Sequence, residues 1–155
     1  MKMMAALIVA LLALAACGGA ANNNKANANK PANDGHDHDS HAGTKFSLGT
    51  LNLEGGLTAM VTQIGEPKAG GETIFEVKLT KDDKDVADAN VTGWLAGEDG
   101  KELAAAGTGK WEAEEKMYDV HTETPKELPA KVHFWLRVIA SDGVESKGSL
   151  AVHKH

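Results

Sequence analysis

The sequence predicts an all-β fold, an antiparallel sandwich of about seven or eight strands that follows a signal peptide and a disordered tether. From residue 46 onward, short runs of alternating apolar and polar residues occur, and no long helical repeat interrupts them. Pairs of turn-forming residues separate several runs, at 55–56, 70–71, 99–100 and 142–143. Many short strands joined by such turns are typical of a single sandwich domain.

Three of the predicted strands show a clear apolar face. Phe75, Val77 and Leu79 alternate strictly with polar residues, as expected of a strand that covers a core on one side. The candidate strands are 46–53, 57–64, 72–80, 90–97, 110–115, 117–123, 131–140 and 145–153.

The register of the last hairpin follows from its apolar stripes. A three-residue loop at 141–143 pairs Phe134 with Leu150 and keeps the apolar side chains of both strands on one face. A two-residue loop would turn Leu150 to the opposite face, because a slip of one residue reverses every side chain. We therefore expect the three-residue loop, with Gly143 in its left-handed position.

Two segments resemble a known family. Residues 82–91, DDKDVADANV, resemble the D-G-K-x-V-x-x-A-x-V loop-into-strand pattern of bacterial immunoglobulin-like domains, including the small YtkA-like domains of secreted and lipid-anchored proteins. Residues 118–136, with YDVH, Pro125 and FWL, resemble the E strand, corner and F strand of such modules. The resemblance covers roughly 60–155 and implies an immunoglobulin-like sandwich. Asp83 departs from the pattern, since glycine is usual there.

The N-terminus has the features of an export signal. Lys2 precedes an apolar run at 5–16, which at twelve residues is shorter than the roughly 20 needed to span a bilayer. The run ends in LAAC, which resembles the bacterial lipobox and implies lipidation of Cys17 after cleavage before it. Because Gly18 follows rather than aspartate, we expect a lipid-anchored protein of the bacterial outer membrane, facing the periplasm or the exterior.

The segment after Cys17 is a predicted linker with a candidate metal site. It has no large apolar side chain before Phe46, so nothing offsets the entropy cost of ordering it. The sequence therefore divides into a signal peptide at 1–16, a lipidated cysteine and disordered linker at 17–45, and a β-sandwich domain at 46–155. Imidazole and carboxylate donors for Zn²⁺, Cu²⁺ or Ni²⁺ cluster in the linker at His36, Asp37, His38, Asp39 and His41. The alternative is a hydrophilic spacer without a metal role.

Three histidines of the domain are secondary metal candidates, namely His121, His133 and His153. If strands 117–123 and 131–140 form a hairpin, His121 lies opposite His133. If the proline-containing link between them crosses from one sheet to the other, the two histidines face solvent on opposite sheets.

The tryptophans raise a separate question. Trp94 is expected in the core. Trp135 shares the outer face with Arg137 and could form an interaction face for a protein or sugar, although packing under a loop is the alternative.

Composition and motifs exclude several function classes. A single cysteine excludes an internal disulfide, and a formal net charge of −6 disfavours nucleic-acid binding. Because no catalytic motif stands out, we expect a non-enzymatic envelope lipoprotein that requires no cofactor and binds a divalent transition metal through the linker cluster. The alternative is an envelope protein–protein interaction or structural module without a metal role.

Overall fold

The structure is a computed structural model that describes residues 43–155. It is all-β and antiparallel, as the sequence predicts, with one short 3-10 turn at Glu54–Gly56. In this part of the chain, no helix has the length and apolar character needed to cross a membrane. The strands are β1 Lys45–Asn52, β2 Leu57–Ile64, β3 Glu72–Lys81, β4 Lys84–Asp85, β5 Asn90–Ala96, β6 Gly107–Glu112, β7 Met117–Glu123, β8 His133–Ile139 and β9 Glu145–Ala151.

The strand order is that of an immunoglobulin-like sandwich. One layer has the order β1-β2-β3-β7-β6 and the other has the order β5-β8-β9. With β1 set aside, these orders correspond to the A-B-E-D and C-F-G sheets of the immunoglobulin fold. β6 also pairs with β5, and β1 lies against β9, so the two layers are joined on one side and nearly closed on the other.

The core lies between the two layers and is built from the predicted apolar stripes. Val77 and Leu79 of β3 and Leu136 of β8 are fully buried. The rings of Phe75 and Phe134 stack across the core with their centroids 3.9 Å apart.

The structure confirms the predicted register of the last hairpin. Phe134 pairs with Leu150, and the amide of Gly143 donates a hydrogen bond of 2.8 Å to the carbonyl of Ala140. Gly143 has a φ of 84°, the left-handed conformation that a three-residue loop requires.

The sixth strand is displaced from its prediction. It was expected at 110–115, but it spans Gly107–Glu112. A Cβ atom on Gly107 would overlap the carbonyl of His121, and one on Gly109 would lie 2.9 Å from Val91 Cβ. These glycines therefore permit close approach of neighbouring strands rather than a turn.

The segment that resembles immunoglobulin-like domains forms a tight hairpin. Lys81 of β3 pairs with Lys84 of β4, which leaves Asp82 and Asp83 as a two-residue loop. Their φ values are 50° and 60°, and positive values at both positions are what a type I′ turn requires. Aspartate tolerates this conformation better than most residues, so Asp83 can stand in the usual place of glycine.

The prediction that Trp94 lies in the core between the layers is wrong. Trp94 is buried, with 8% of its surface exposed, but it pairs with Trp135 on the outer face of the β5-β8-β9 layer. Its indole N–H donates a hydrogen bond of 3.0 Å to the carbonyl of Gly100, and the loop that contains Gly100 buries it. Leu95, the next residue, fills the core instead.

Candidate metal centre

The predicted linker cluster and the predicted lipidation site lie outside the described residues. This applies to Cys17, His36, Asp37, His38, Asp39 and His41. The described chain begins at Gly43, and the carbonyl of Thr44 accepts a hydrogen bond of 2.8 Å from the amide of Gly65. The polypeptide therefore enters the domain beside the turn that follows β2.

The structure separates two of the domain histidines. β7, which carries His121, pairs with β3 and β6, whereas β8, which carries His133, pairs with β5 and β9. The hairpin alternative is therefore wrong and the crossing between sheets is confirmed. His121 lies beside Glu72, with Nδ1 3.1 Å from Oε2, and His133 pairs with Ala151 at the start of β8.

His153 has a fixed backbone position just beyond β9. The side-chain amide of Gln63, which is fully buried, accepts a hydrogen bond of 3.0 Å from the His153 amide and donates one of 2.9 Å to the His153 carbonyl. The same nitrogen of Gln63 donates a bond of 2.7 Å to the carbonyl of Gly65. One amide therefore ties the end of β9 to the turn after β2.

The side chain of His153 lies in a small cluster of metal-ligating groups. Its ring stacks on Phe46 at a centroid distance of 3.9 Å and meets the ring of His155 edge-on at 5.0 Å. His155 Nε2 lies 3.4 Å from Glu66 Oε1. One ligand atom each from Glu66, His153 and His155 fits within 4.8 Å of the others. Two imidazoles and a carboxylate are a donor set suited to divalent transition metals.

A second group contains only carboxylates, and one of them already binds a lysine. It consists of Glu76, Glu115 and Asp119, again within 4.8 Å of one another. The ammonium of Lys45 donates hydrogen bonds of 2.7 and 2.9 Å to both oxygens of Glu76. The hydrogen bond to Glu76 raises the pKa of Lys45, and the charges of all three carboxylates act in the same direction. A lysine therefore occupies the place that a cation would take.

The predicted interaction face is partly covered. The indole N–H of Trp135 donates a hydrogen bond of 3.0 Å to the carbonyl of Gly97, and a Cβ atom on Gly100 would lie 3.1 Å from the Trp135 ring. Trp135 thus packs under a loop, which is the alternative that the sequence analysis gave to an interaction face. Arg137 has its Nε 3.8 Å from a carboxylate oxygen of Glu145.

Sequence reasoning missed Glu66 as a ligand candidate. This glutamate follows a turn and has no informative spacing to any histidine, and the hydrogen bonds of Gln63 to Gly65 and His153 hold it beside the end of β9. The His153-x-His155 pair is the one local signal in the sequence, because alternate residues of an extended segment share a side.

Comparison of the chain with models of protein families, with curated proteins and with solved structures yields no match.

Proposed function

We propose that this protein is a non-enzymatic lipoprotein of the bacterial envelope that binds a divalent transition metal through its linker. The observation that carries the proposal is the cluster of three histidines and two aspartates at 36–41, which follows a lipobox-like sequence and precedes a folded domain. Neutral imidazoles and carboxylates are good ligands for Zn²⁺, Cu²⁺ and Ni²⁺ at pH 7. The linker would capture metal, and the anchor would keep it at the membrane.

The architecture of the domain supports a binding role. The space between the layers is filled by apolar side chains, with Phe75 and Phe134 at its centre. A depression beside Thr124 and Lys126, in the part of the chain that the structure describes, is open to solvent and not enclosed. We therefore assign the chemistry of this protein to ligands presented at its surface and in its linker.

The proposal predicts that metal uptake depends on the linker histidines. We would titrate Zn²⁺ into the mature chain by calorimetry and compare a variant with His36, His38 and His41 all changed to alanine. The variant should lose the linker's share of bound Zn²⁺, because it removes every imidazole of the cluster. Its matched control changes Asn27, Asn29 and Asn33 to alanine in the same segment and should bind Zn²⁺ as the wild-type protein does.

Identical Zn²⁺ stoichiometry and affinity in the histidine variant and the wild-type protein would contradict the proposal. The chain would then be the envelope interaction module that the sequence offers as the alternative. Trp135 and Arg137 would be the first residues to change in a search for its protein partner.

A further inference from the structure

We propose that Glu66, His153 and His155 form a second binding site for a divalent transition metal, within the folded domain. This inference goes beyond the linker proposal, because it depends only on described residues and holds whether or not the linker binds metal. The three residues come from two distant parts of the chain, the turn after β2 and the end of β9. The fold brings their ligand atoms within 4.8 Å of one another.

The donor set matches the proposed ligand. Zn²⁺ sites with three protein ligands commonly combine imidazole with carboxylate and leave one position for water or a further ligand. The formal charge of Glu66 offsets half of the charge of a divalent ion, and two neutral imidazoles add no charge. Lys154, which lies between the histidines in sequence, has its ammonium bound to the carbonyl of Pro129 at 2.5 Å, so another acceptor already holds this cation.

The geometry requires only a small contraction. Ligand atoms about 2.1 Å from a tetrahedral ion lie about 3.4 Å apart, so no pair would need to move closer by more than about 1.4 Å. His155 and Glu66 have the freedom to do this, since their side chains are 77% and 43% exposed. His155 Nε2 and Glu66 Oε1 are already 3.4 Å apart, close to the spacing of two ligands of one ion.

The remaining ligand, His153, is held in place before any metal arrives. Its ring stacks on Phe46, and both polar groups of its backbone bond to the buried amide of Gln63. Because that amide also bonds to Gly65, the residue before Glu66, it fixes the backbone at both arms of the site. Ligands that are fixed beforehand lose less entropy on binding than those of an unfolded segment.

His153 also carries a polar atom without a partner among residues 43–155. Its Nε2 is shielded from solvent and forms no hydrogen bond with the described chain. A shielded nitrogen of this kind costs free energy unless it gains a partner. A metal ion that binds His153 through Nε2 would supply that partner.

The test uses Zn²⁺ as the probe and the mature chain in which His36, His38 and His41 are alanine. Competition with a chelating dye should show one Zn²⁺ bound per chain in this linker variant. Adding His155→Ala should weaken Zn²⁺ binding by about tenfold or more, since a direct ligand is worth at least as much as the outer partners of a metal site. Adding His133→Ala instead is the matched control, because His133 lies on β8 outside the cluster, and should leave affinity unchanged.

Two results would overturn the site: no Zn²⁺ binding by the linker variant, or equal binding with and without His155. The replacement Glu66→Gln is a second variant that preserves side-chain size, and it should also weaken binding. Thermal unfolding of each variant without metal verifies that its fold is intact. Equal Zn²⁺ binding by the linker variant and the wild-type protein would refute the linker function while leaving the domain site standing, so the two failures are distinguishable.

Discussion

The buried amide of Gln63 gives the sharpest prediction for the stability of the domain. Its side chain is fully buried and makes three hydrogen bonds to backbone groups of Gly65 and His153. We expect Gln63→Leu to destabilise the protein markedly. Leucine has a similar size, so the main loss is that of the hydrogen bonds and not of packing volume.

The expected magnitude follows from the number of bonds lost. Each hydrogen bond contributes a net stabilisation of about 1 kcal/mol, so three of them amount to about 3 kcal/mol. For a domain of this size the midpoint of thermal unfolding falls by about 4 °C for each kcal/mol, which gives a decrease of about 12 °C. The same substitution should weaken Zn²⁺ binding at the domain site, because the end of β9 is no longer tied to the turn after β2.

Urea unfolding monitored by tryptophan fluorescence measures this loss. The control is Thr58→Leu, on the same strand but on its outer face, which should change stability by about 0.5 kcal/mol or less. The isosteric Gln63→Glu keeps the acceptor for the His153 amide but places an oxygen against two carbonyls, so it should be at least as destabilising as leucine. The explanation would be refuted by a loss below about 1 kcal/mol in Gln63→Leu, or by a neutral effect of Gln63→Glu.

Two further predictions concern charge and anchoring. The pKa of Lys45 lies above its ordinary value of 10.5 because its ammonium bonds to Glu76. Its contribution to stability is therefore complete below about pH 10.5 and is lost as the pH rises through the folded value. The gap in stability between the wild-type protein and Lys45→Met should be constant near neutral pH and shrink in strong alkali; an unchanged gap would contradict this. Cys17→Ser should move the protein from the membrane fraction to the soluble fraction, and retention in the membrane would refute lipid anchoring.

Alternation and turn chemistry predict most of this fold. The stripes of β3 and β8 identify the core, and the choice of loop at Gly143 correctly sets the register of the last hairpin. The prediction fails where tertiary contacts, and not the local sequence, determine the structural role of a residue. The strand expected at 110–115 begins instead at Gly107, because Gly107 and Gly109 allow close approach of neighbouring strands, which sequence spacing does not reveal.

The candidate site was harder to predict, because its residues meet only through the topology. His153 was a candidate from the sequence, but no local pattern pointed to Glu66 as its partner. Glu66 became its neighbour because the turn after β2 lies beside the end of β9, an arrangement maintained by Gln63. A single polar residue at an inward position of β2 therefore decides the geometry, and no local pattern distinguishes it from an ordinary strand glutamine.

The two edge strands, β1 and β9, have features that oppose self-association. β1 carries a bulge between Ser47 and Gly49, where the register shifts by one residue, and Glu145 and Lys147 of β9 present charges to solvent. Bulges and charged side chains make an edge a poor template for a further strand. We therefore expect neither edge to recruit a strand from a second copy of the chain.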